Sequence, residues 1–315
     1  MNFLGRALEL AERGRATVEH THPLVGAVVV RDGEVVGEGW YAGSGEPHAE
    51  AAALVAAGDN ARGATMYVTL EPCAHHGRTP PCADAVAAAG IARVVAAARD
   101  PNPRVDGRGF ARLRQRGVEV ELVDLFEARQ QNEAWRVWIA KRRPFVTYKA
   151  AVTLDGRMTM PGERWISGEE SRRLVHELRA AADAVAVGMG TVRADAPQLT
   201  ARDVGAVRQP RRLVFGSGPL PAGSELEPVS GPLEDELERL AEEGVRSLLL
   251  EGGATLATSF LEADLIDKLL VFVAPRLSGA GPRLFGDFAR PLPLLRFATR
   301  RVGEDVLLTA YVHDP

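Results

Sequence analysis

His48 and Glu50 stand one residue apart in Pro47-His48-Ala49-Glu50, and Cys73 and Cys82 follow with eight residues between them. One imidazole and two thiolates form a ligand set for zinc, and three protein ligands leave the fourth position of a tetrahedral ion open. An open position points to catalysis, because a structural site closes its shell with four protein ligands. Such an ion lowers the pKa of a bound water toward about 7. Glu50, two residues beyond the imidazole, would lie near the metal without ligating it, placed to shuttle a proton between that water and a leaving amine. A helix beginning at Cys82 would favour the thiolate form of that residue. His75 and His76 offer a closed shell instead, which would leave Glu50 without a role. The plainer alternative is a packing histidine and two inert thiols.

The second half offers weaker signals. Gly188-Met189-Gly190 leads to Arg193, so the Gly-x-Gly-x-x-Gly of a dinucleotide fold is not met. Leu248 to Leu250 followed by Glu251-Gly252-Gly253 reads as strand, glycine turn and helix. Backbone N–H groups at that helix start would receive a pyrophosphate, although a Gly-Gly turn before a helix is more often only a turn.

The elements that must carry these residues follow from periodicity. Phe3 to Arg13 is an amphipathic helix. Val25 to Val30 and Val35 to Gly39 form a hairpin about Asp32-Gly33. A helix starts at Pro47 and covers His48 to Ala57, ending at Gly58. Ala64 to Leu70 is a strand, Cys82 to Ala89 a helix closed by Gly90, and Val94 to Ala98 a strand. Gly109 to Arg116 is helical, Val118 to Val123 a strand, and Phe126 to Ile139 one helix. The Lys141-Arg142-Arg143-Pro144 cluster marks a boundary. Beyond it come a strand at Val146 to Ala151, a helix capped by Ser167 and running to Ala181, and strands at Ala184 to Val187, Leu213 to Phe215, Ser247 to Leu250 and Leu269 to Ala274. Gly252-Gly253 opens a helix to Glu262, and Leu307 to Val312 is a closing edge strand. Residues 201–244 are irregular around a helix at Leu233 to Ala241. Alternating α and β in both halves predicts an α/β protein, with domains at 1–143 and 144–315.

Composition agrees. The 315 residues are 46% hydrophobic and 25% charged, the mix of a globular chain. Lys+Arg 38 against Asp+Glu 42 gives a net charge of -4, and aromatics are 6%, so neither a large polyanion-binding surface nor a base-stacking platform is expected. Two cysteines are too few for a disulfide scaffold. Met1 to Arg15 is interrupted by charges, and no run of about 18 apolar residues occurs. No signal peptide, membrane or nucleic-acid association is expected, and a cytoplasmic setting is.

His48-Ala49-Glu50 with Pro72-Cys73 and Cys82 resembles the zinc cytidine/nucleobase deaminase family, with a wider cysteine spacing than Pro-Cys-x-x-Cys. That insert looks like one branch, the bifunctional riboflavin-biosynthesis deaminase/reductases. The resemblance continues through Val25–Val30, Tyr67–Leu70, Asp100–Pro103, Lys149–Gly156, Trp165-Ile166, Leu178–Ala180, Gly190–Val192 and Glu251–Gly253, and so covers nearly the whole chain. It implies a cytidine-deaminase-like N-terminal domain and a dihydrofolate-reductase-like C-terminal domain. The implied activities are hydrolytic deamination of 2,5-diamino-6-(5-phosphoribosylamino)pyrimidin-4(3H)-one, then NADPH reduction of the ribosyl group to ribityl. The resemblance makes His48, Cys73 and Cys82 the ligands of one zinc per chain and Glu50 the proton carrier. It places His75, Arg78, Asp100 and Asn102 on the pyrimidine and its phosphate. Ala151, Trp165, Thr191, Asp195, Ser217 and the run Gly253, Ala254, Thr255, Leu256, Ala257, Thr258 and Ser259 fall at cofactor positions. Lys149, Arg179, Leu199, Arg202 and Glu251 fall at positions for the reductase substrate. The partner implied is a phosphorylated pyrimidine, and a homo-oligomer is expected.

Some residues depart from that pattern. His22 replaces an Asn and could donate one hydrogen bond from its imidazole. Ala196 replaces an Asp, Gly216 stands at an Asp-Ser strand end, and Glu163 puts a carboxylate where a Ser contact is usual. Arg211 and Arg212 could meet a 2′-phosphate or simply be solvated. Two alternatives stay open on sequence alone: a deaminase of another nucleoside or of tRNA adenosine with an unrelated tail, or a deaminase with a non-catalytic reductase-like domain.

Overall fold

The computed structural model describes residues 2–18, 21–75, 80–103, 105–289 and 291–315. The chain divides into two compact units, 1–141 and 142–314. In the first, helix α1 (Phe3–Glu12) precedes strands β1 (Gly26–Arg31) and β2 (Glu34–Trp40), then α2 (Ala49–Ala57), β3 (Thr65–Val68), α3 (Cys82–Ala88), β4 (Arg93–Ala96), α4 (Arg108–Gln115), β5 (Glu119–Leu122), α5 (Phe126–Gln131) and α6 (Glu133–Lys141). The sheet order is β2-β1-β3-β4-β5. β1 pairs antiparallel with β2 and β3, while β3, β4 and β5 run parallel.

β1 is buried on both faces, as its unbroken apolar run requires. Val28 and Val30 cluster with Ala7 and Leu10 of α1. Ala27 and Val29, on the opposite face, join the cluster that holds Ala49 and Ala53 of α2. Each buried valine of this kind contributes about 1.5–3 kcal/mol. α2 lies so close to β2 that a Cβ at Gly39 would sit 2.4 Å from the Ala49 carbonyl oxygen. Only a glycine permits that approach, and it sets the height of the helix that follows His48.

The second unit has strands β6 (Phe145–Thr153), β7 (Ala184–Gly188), β8 (Arg211–Phe215), β9 (Glu227–Val229), β10 (Ser247–Leu250), β11 (Lys268–Ala274), β12 (Leu295–Val302) and β13 (Asp305–Tyr311). Its helices are α7 (Glu169–Ala181), α8 (Met189–Asp195), α9 (Leu233–Glu242) and α10 (Ala254–Glu262). The sheet order is β12-β13-β11-β6-β10-β7-β8-β9. Six strands from β11 to β9 run parallel, and β13 and β12 close one side antiparallel. The chain leaves β6 for β7, β8 and β9, returns to insert β10 between β6 and β7, and then crosses to β11. This reversal sets the carboxyl ends of β10 and β7 beside the middle of β6, a switch point of the kind at which open α/β sheets bind ligands.

Several expectations are corrected. The strand over residues 305–311 is not an edge, because β12 pairs outside it. β12 is exposed over nearly its whole length, so it carries no hydrophobic alternation to reveal it. α7 is capped at Gly168, not Ser167; the Gly168 N–H donates to Asp305 Oδ2 at 2.9 Å. The single helix over residues 126–139 is broken at Asn132, whose side chain accepts from the Leu24 N–H at 2.8 Å and donates to the Leu24 carbonyl at 2.9 Å. Helix α2 begins at Ala49, with His48 as its N-cap. α8 and β9 form within stretches expected to be turn or irregular. Among the described residues, no helix is long and apolar enough to cross a membrane.

Candidate functional site

His48 occupies the N-cap of α2 with extended backbone, and its side chain makes no capping bond. Its imidazole is therefore free to face the sulfurs. His48 Nδ1 lies 3.8 Å from Cys73 Sγ and 3.2 Å from Cys82 Sγ. All three ligand atoms fall within 4.8 Å of one another. Bonds of about 2.3 Å to sulfur and about 2.0 Å to nitrogen place tetrahedral ligands roughly 3.6 Å apart. The donor set and its spacing thus fit one zinc ion, and the third of the sequence alternatives, inert thiols, has no place in this geometry.

Cys73 follows β3 and Cys82 opens α3. The first N–H of α3, on Cys82, donates to Cys73 Sγ at 3.3 Å. The helix start therefore acts on Cys73, not on its own Cys82 as expected. Hydrogen bonding from the Cys82 thiol, offset in part by burial and aided by His48, holds the Cys73 thiol well below the ordinary range. The shared proton stays with Cys82, which is pushed up by that bond and by burial. A dication between the two sulfurs removes the need for that proton.

Glu50 lies in the first turn of α2 and is buried. Burial pushes its carboxyl up to about 7, with the negative Cys73 adding to the effect. A carboxyl at that value both accepts and releases a proton near neutrality. A bound cation would draw it back toward the charged form.

A cavity of 720 Å³ opens onto these groups, walled by His22, Tyr41, His75, Asp100, Asn102 and Trp138 among others. Asp100 Oδ1 accepts from the Asn102 N–H at 2.8 Å. Burial, helped by the nearby Glu71 carboxylate, pushes Asp100 up to about 7. His75 and His22 both face the cavity; Thr21 Oγ1 lies 3.0 Å from His22 Nδ1. Arg78 lies outside the described residues, as does His76.

Sequence reasoning missed several contributors. Tyr41 meets the His48 ring edge-on at 5.6 Å. Trp135, Trp138 and Ile139 of α6 wall the cavity, and their one signal was an aromatic pair on a helix. Glu71 was visible beside Pro72-Cys73 without an assigned part. Its buried carboxylate accepts from the N–H groups of Gly107 at 3.0 Å, Gly109 at 2.9 Å and Phe110 at 3.3 Å, binding the segment before Cys73 to the start of α4. A Cβ at Gly109 would lie 1.9 Å from the Pro72 oxygen, so the contact is as close as backbone allows.

In the second unit Lys149, Arg179 and Glu251 converge at the carboxyl end of β10. Arg179 donates from Nε and Nη2 to the two Glu251 oxygens at 2.6 and 2.9 Å, and Lys149 Nζ lies 3.7 Å from Glu251 Oε2. Burial raises the Glu251 carboxyl, but Lys149 and Arg179 outweigh it and hold the group below the ordinary range. Burial lowers the Lys149 ammonium. Arg179 also donates to the Thr200 carbonyl at 3.2 Å, and Arg202 Nη1 to Thr200 Oγ1 at 3.1 Å, so both arginines hold the same segment. The Leu199 side chain is buried in the core with Val187 and Val192, which leaves only its backbone for a ligand.

Ala151 is on the same face of β6 as Lys149. Thr191 of α8 lies 3.8 Å from the place of a Gly253 Cβ, and the Ser217 carbonyl accepts from Arg193 Nη2 at 3.4 Å. Thr191 thus lies beside the start of α10, and Ser217 is tied to α8 through Arg193. Ala254, Thr255, Leu256 and Ser259 are not fully buried, whereas Ala257 and Thr258 are turned into the core. Thr258 Oγ1 donates to Ala254 O at 2.7 Å. Trp165 is 52% exposed, with Arg164 and Arg172 over its ring at 5.1 and 5.5 Å, and Asp195 is exposed at the last position of α8. Arg211 is bonded to Glu227 and Glu243, and Arg212 to Glu225, so both guanidinium groups already have carboxylate partners. Glu163 lies 4.0 Å from Arg276.

Comparison with known proteins accords with this geometry. A family model described as the cytidine and deoxycytidylate deaminase zinc-binding region matches residues 1–98, and one described as the RibD C-terminal domain matches residues 144–222 and 225–308. The chain is 40% identical to the riboflavin biosynthesis protein RibD of Aquifex aeolicus, in an alignment that covers 98% of this chain and 97% of that one. It is also 40% identical to RibD of Escherichia coli, in an alignment that covers 97% of each. Among solved structures it resembles RibD of Acinetobacter baumannii, form 1, with a TM-score of 0.81 and 36% identity over 98% of this chain and 97% of that one. A Thermotoga maritima diaminohydroxyphosphoribosylaminopyrimidine deaminase/5-amino-6-(5-phosphoribosylamino)uracil reductase matches with a TM-score of 0.80 and 35% identity, at the same coverage.

Proposed function

The chain belongs to the RibD family of bifunctional riboflavin-biosynthesis enzymes, and from that premise we propose which of its residues carry each reaction. The first unit is a cytidine-deaminase-like zinc deaminase and the second the RibD reductase. The protein deaminates 2,5-diamino-6-(5-phosphoribosylamino)pyrimidin-4(3H)-one and reduces the product's ribosyl group, giving 5-amino-6-(5-phosphoribitylamino)uracil. Resemblance over nearly the full length leaves no room for an unrelated tail.

His48, Cys73 and Cys82 would hold the zinc ion, which supplies a nucleophilic water at neutral pH. Glu50 takes the proton from that water onto its carboxylate and delivers it to the exocyclic nitrogen, so that ammonia departs. Its burial beside the ligands keeps the proton from leaking to bulk solvent. Asp100 and Asn102 orient the pyrimidine, with His75 and His22 lining the same cavity. Trp138 covers the ring face, and Arg78 grips the phosphate ester.

In the reductase, bound NADPH would supply the hydride that reduces the ribosyl group to ribityl. The start of α10, from Gly253 to Thr255, receives the pyrophosphate, and Thr191 and Ser217 flank it. Ala151, Trp165 and Asp195 hold the remainder of the cofactor. Lys149, in the middle of β6, and Glu251, just past the carboxyl end of β10, grip the sugar hydroxyls. Arg179 and Arg202, joined through the 198–202 segment, take the phosphate. The enzyme acts on a small molecule, and a homo-oligomer is the assembly we expect, in a cytoplasmic setting.

The observation that carries this reading is one imidazole and two sulfurs brought within 4.8 Å beside a buried Glu50. Glu50→Gln tests it. The variant should retain about one zinc per chain and lose about 10²–10⁴-fold in ammonia release. Full activity with Gln at position 50 would refute the proton-carrier role.

A further inference from the structure

α4 carries a side chain that joins both cysteine-bearing segments and has no part in the chemistry above. The Arg112 guanidinium donates from Nη1 to the Ala74 carbonyl at 3.1 Å, one residue past Cys73. From Nε and Nη2 it donates to the two oxygens of Asp84, at 2.7 and 2.6 Å, two residues past Cys82. One planar fork thus holds the backbone after the first sulfur ligand and the helix that begins with the second. Arg116, one turn further along, lies 3.6 Å from the same carboxylate.

The brace rests on a fixed support. Phe110 and Leu113 of α4 are buried in the core, and the Glu71 carboxylate holds the N–H groups at the helix start. Arg112 and Asp84 are themselves 33% and 24% exposed in their side chains, where an ion pair contributes little to stability. The value of the contact lies in geometry. Eight residues separate Cys73 from Cys82, and a ligand pair so separated costs ordering entropy on binding unless its spacing is set beforehand.

We propose that Arg112, acting through Asp84 and the Ala74 carbonyl, is a positioning residue that presets the Cys73–Cys82 spacing and thereby tightens zinc binding. This rests on reading His48, Cys73 and Cys82 as the zinc ligands. The test is a Zn²⁺ titration of the metal-stripped full chain against a chromophoric chelator, with Tm measured with and without the ion. Arg112→Gln should weaken zinc about 10–100-fold, the range found when groups supporting metal ligands are removed. The zinc-dependent rise in Tm should shrink accordingly, and Arg112→Lys should recover part of the affinity. A brace important only to the fold would lower Tm equally with and without zinc and leave the affinity at the parent value. Affinity within twofold of the parent in Arg112→Gln overturns the proposal. Should that variant not fold, Asp84→Asn decides on the same criterion, because it removes the charge that the fork grips. Failure of the parent chain itself to bind zinc would overturn the ligand reading instead.

Discussion

Glu251 is held between two cations in a site with almost no solvent. Arg179 meets both of its oxygens, and Lys149 stands 3.7 Å away. Removing one partner of such a group leaves the others buried without compensation, a loss of about 3–5 kcal/mol. Glu251→Gln should therefore destabilise the second unit by that order at pH 7. The carboxyl is depressed in the folded state, so its contribution is present above the ordinary value of 4.5 and is lost as pH falls through the depressed one. Calorimetric unfolding should show the gap between parent and variant closing below pH 4.5; a gap that stays constant with pH would contradict the ion-pair account. Residues like His48, Glu50, Cys73 and Cys82 were legible because few residue types can ligate zinc and this chain has two cysteines. Trp138 and Arg112 were not, because each acts on residues distant in sequence, and Tyr41 was not, because nothing local shows that its ring turns toward His48. Arg112 reaches back 38 positions to Ala74 and 28 to Asp84. The buried Leu199 shows the converse: its sequence position suggests a ligand contact, and packing removes the side chain from one.

The elements carry the site through close approaches that a hydrophobic pattern only partly reveals. β1, α2 and β10 were legible from apolar runs and caps. α8 was hidden because Gly188-Met189-Gly190 reads as a strand end. β12 was hidden because its residues are exposed, and Asn132 broke a periodic helix because its amide is committed to Leu24. The height of α2 over β2 depends on Gly39. Adding a methyl group there places carbon 2.4 Å from the Ala49 oxygen, with backbone and not a flexible side chain in the way. Gly39→Ala should cost about 1–3 kcal/mol through overpacking. It should also shift His48 and Glu50, so that deamination falls more steeply than reduction of an already deaminated substrate. Loss of both activities in equal measure would count against α2 as the element that sets the zinc site.

At the scale of the whole molecule, two units with separate cores carry two sets of residues that share no member. The α/β class followed from alternation along the chain, but the insertion of β10 between β6 and β7 did not, since strand order depends on crossovers that no local pattern encodes. Division of labour between the units makes their chemistry separable. The most direct test supplies the purified chain with the diamino-pyrimidinone phosphoribosylamine and NADPH, and records ammonia and NADPH together, before and after a zinc chelator. One NADPH should be oxidised for each ammonia released, both should stop after chelation, and NADPH oxidation alone should return when deaminated substrate is added. Undiminished ammonia release from the chelated, zinc-free protein would contradict zinc-dependent deamination at His48, Cys73 and Cys82.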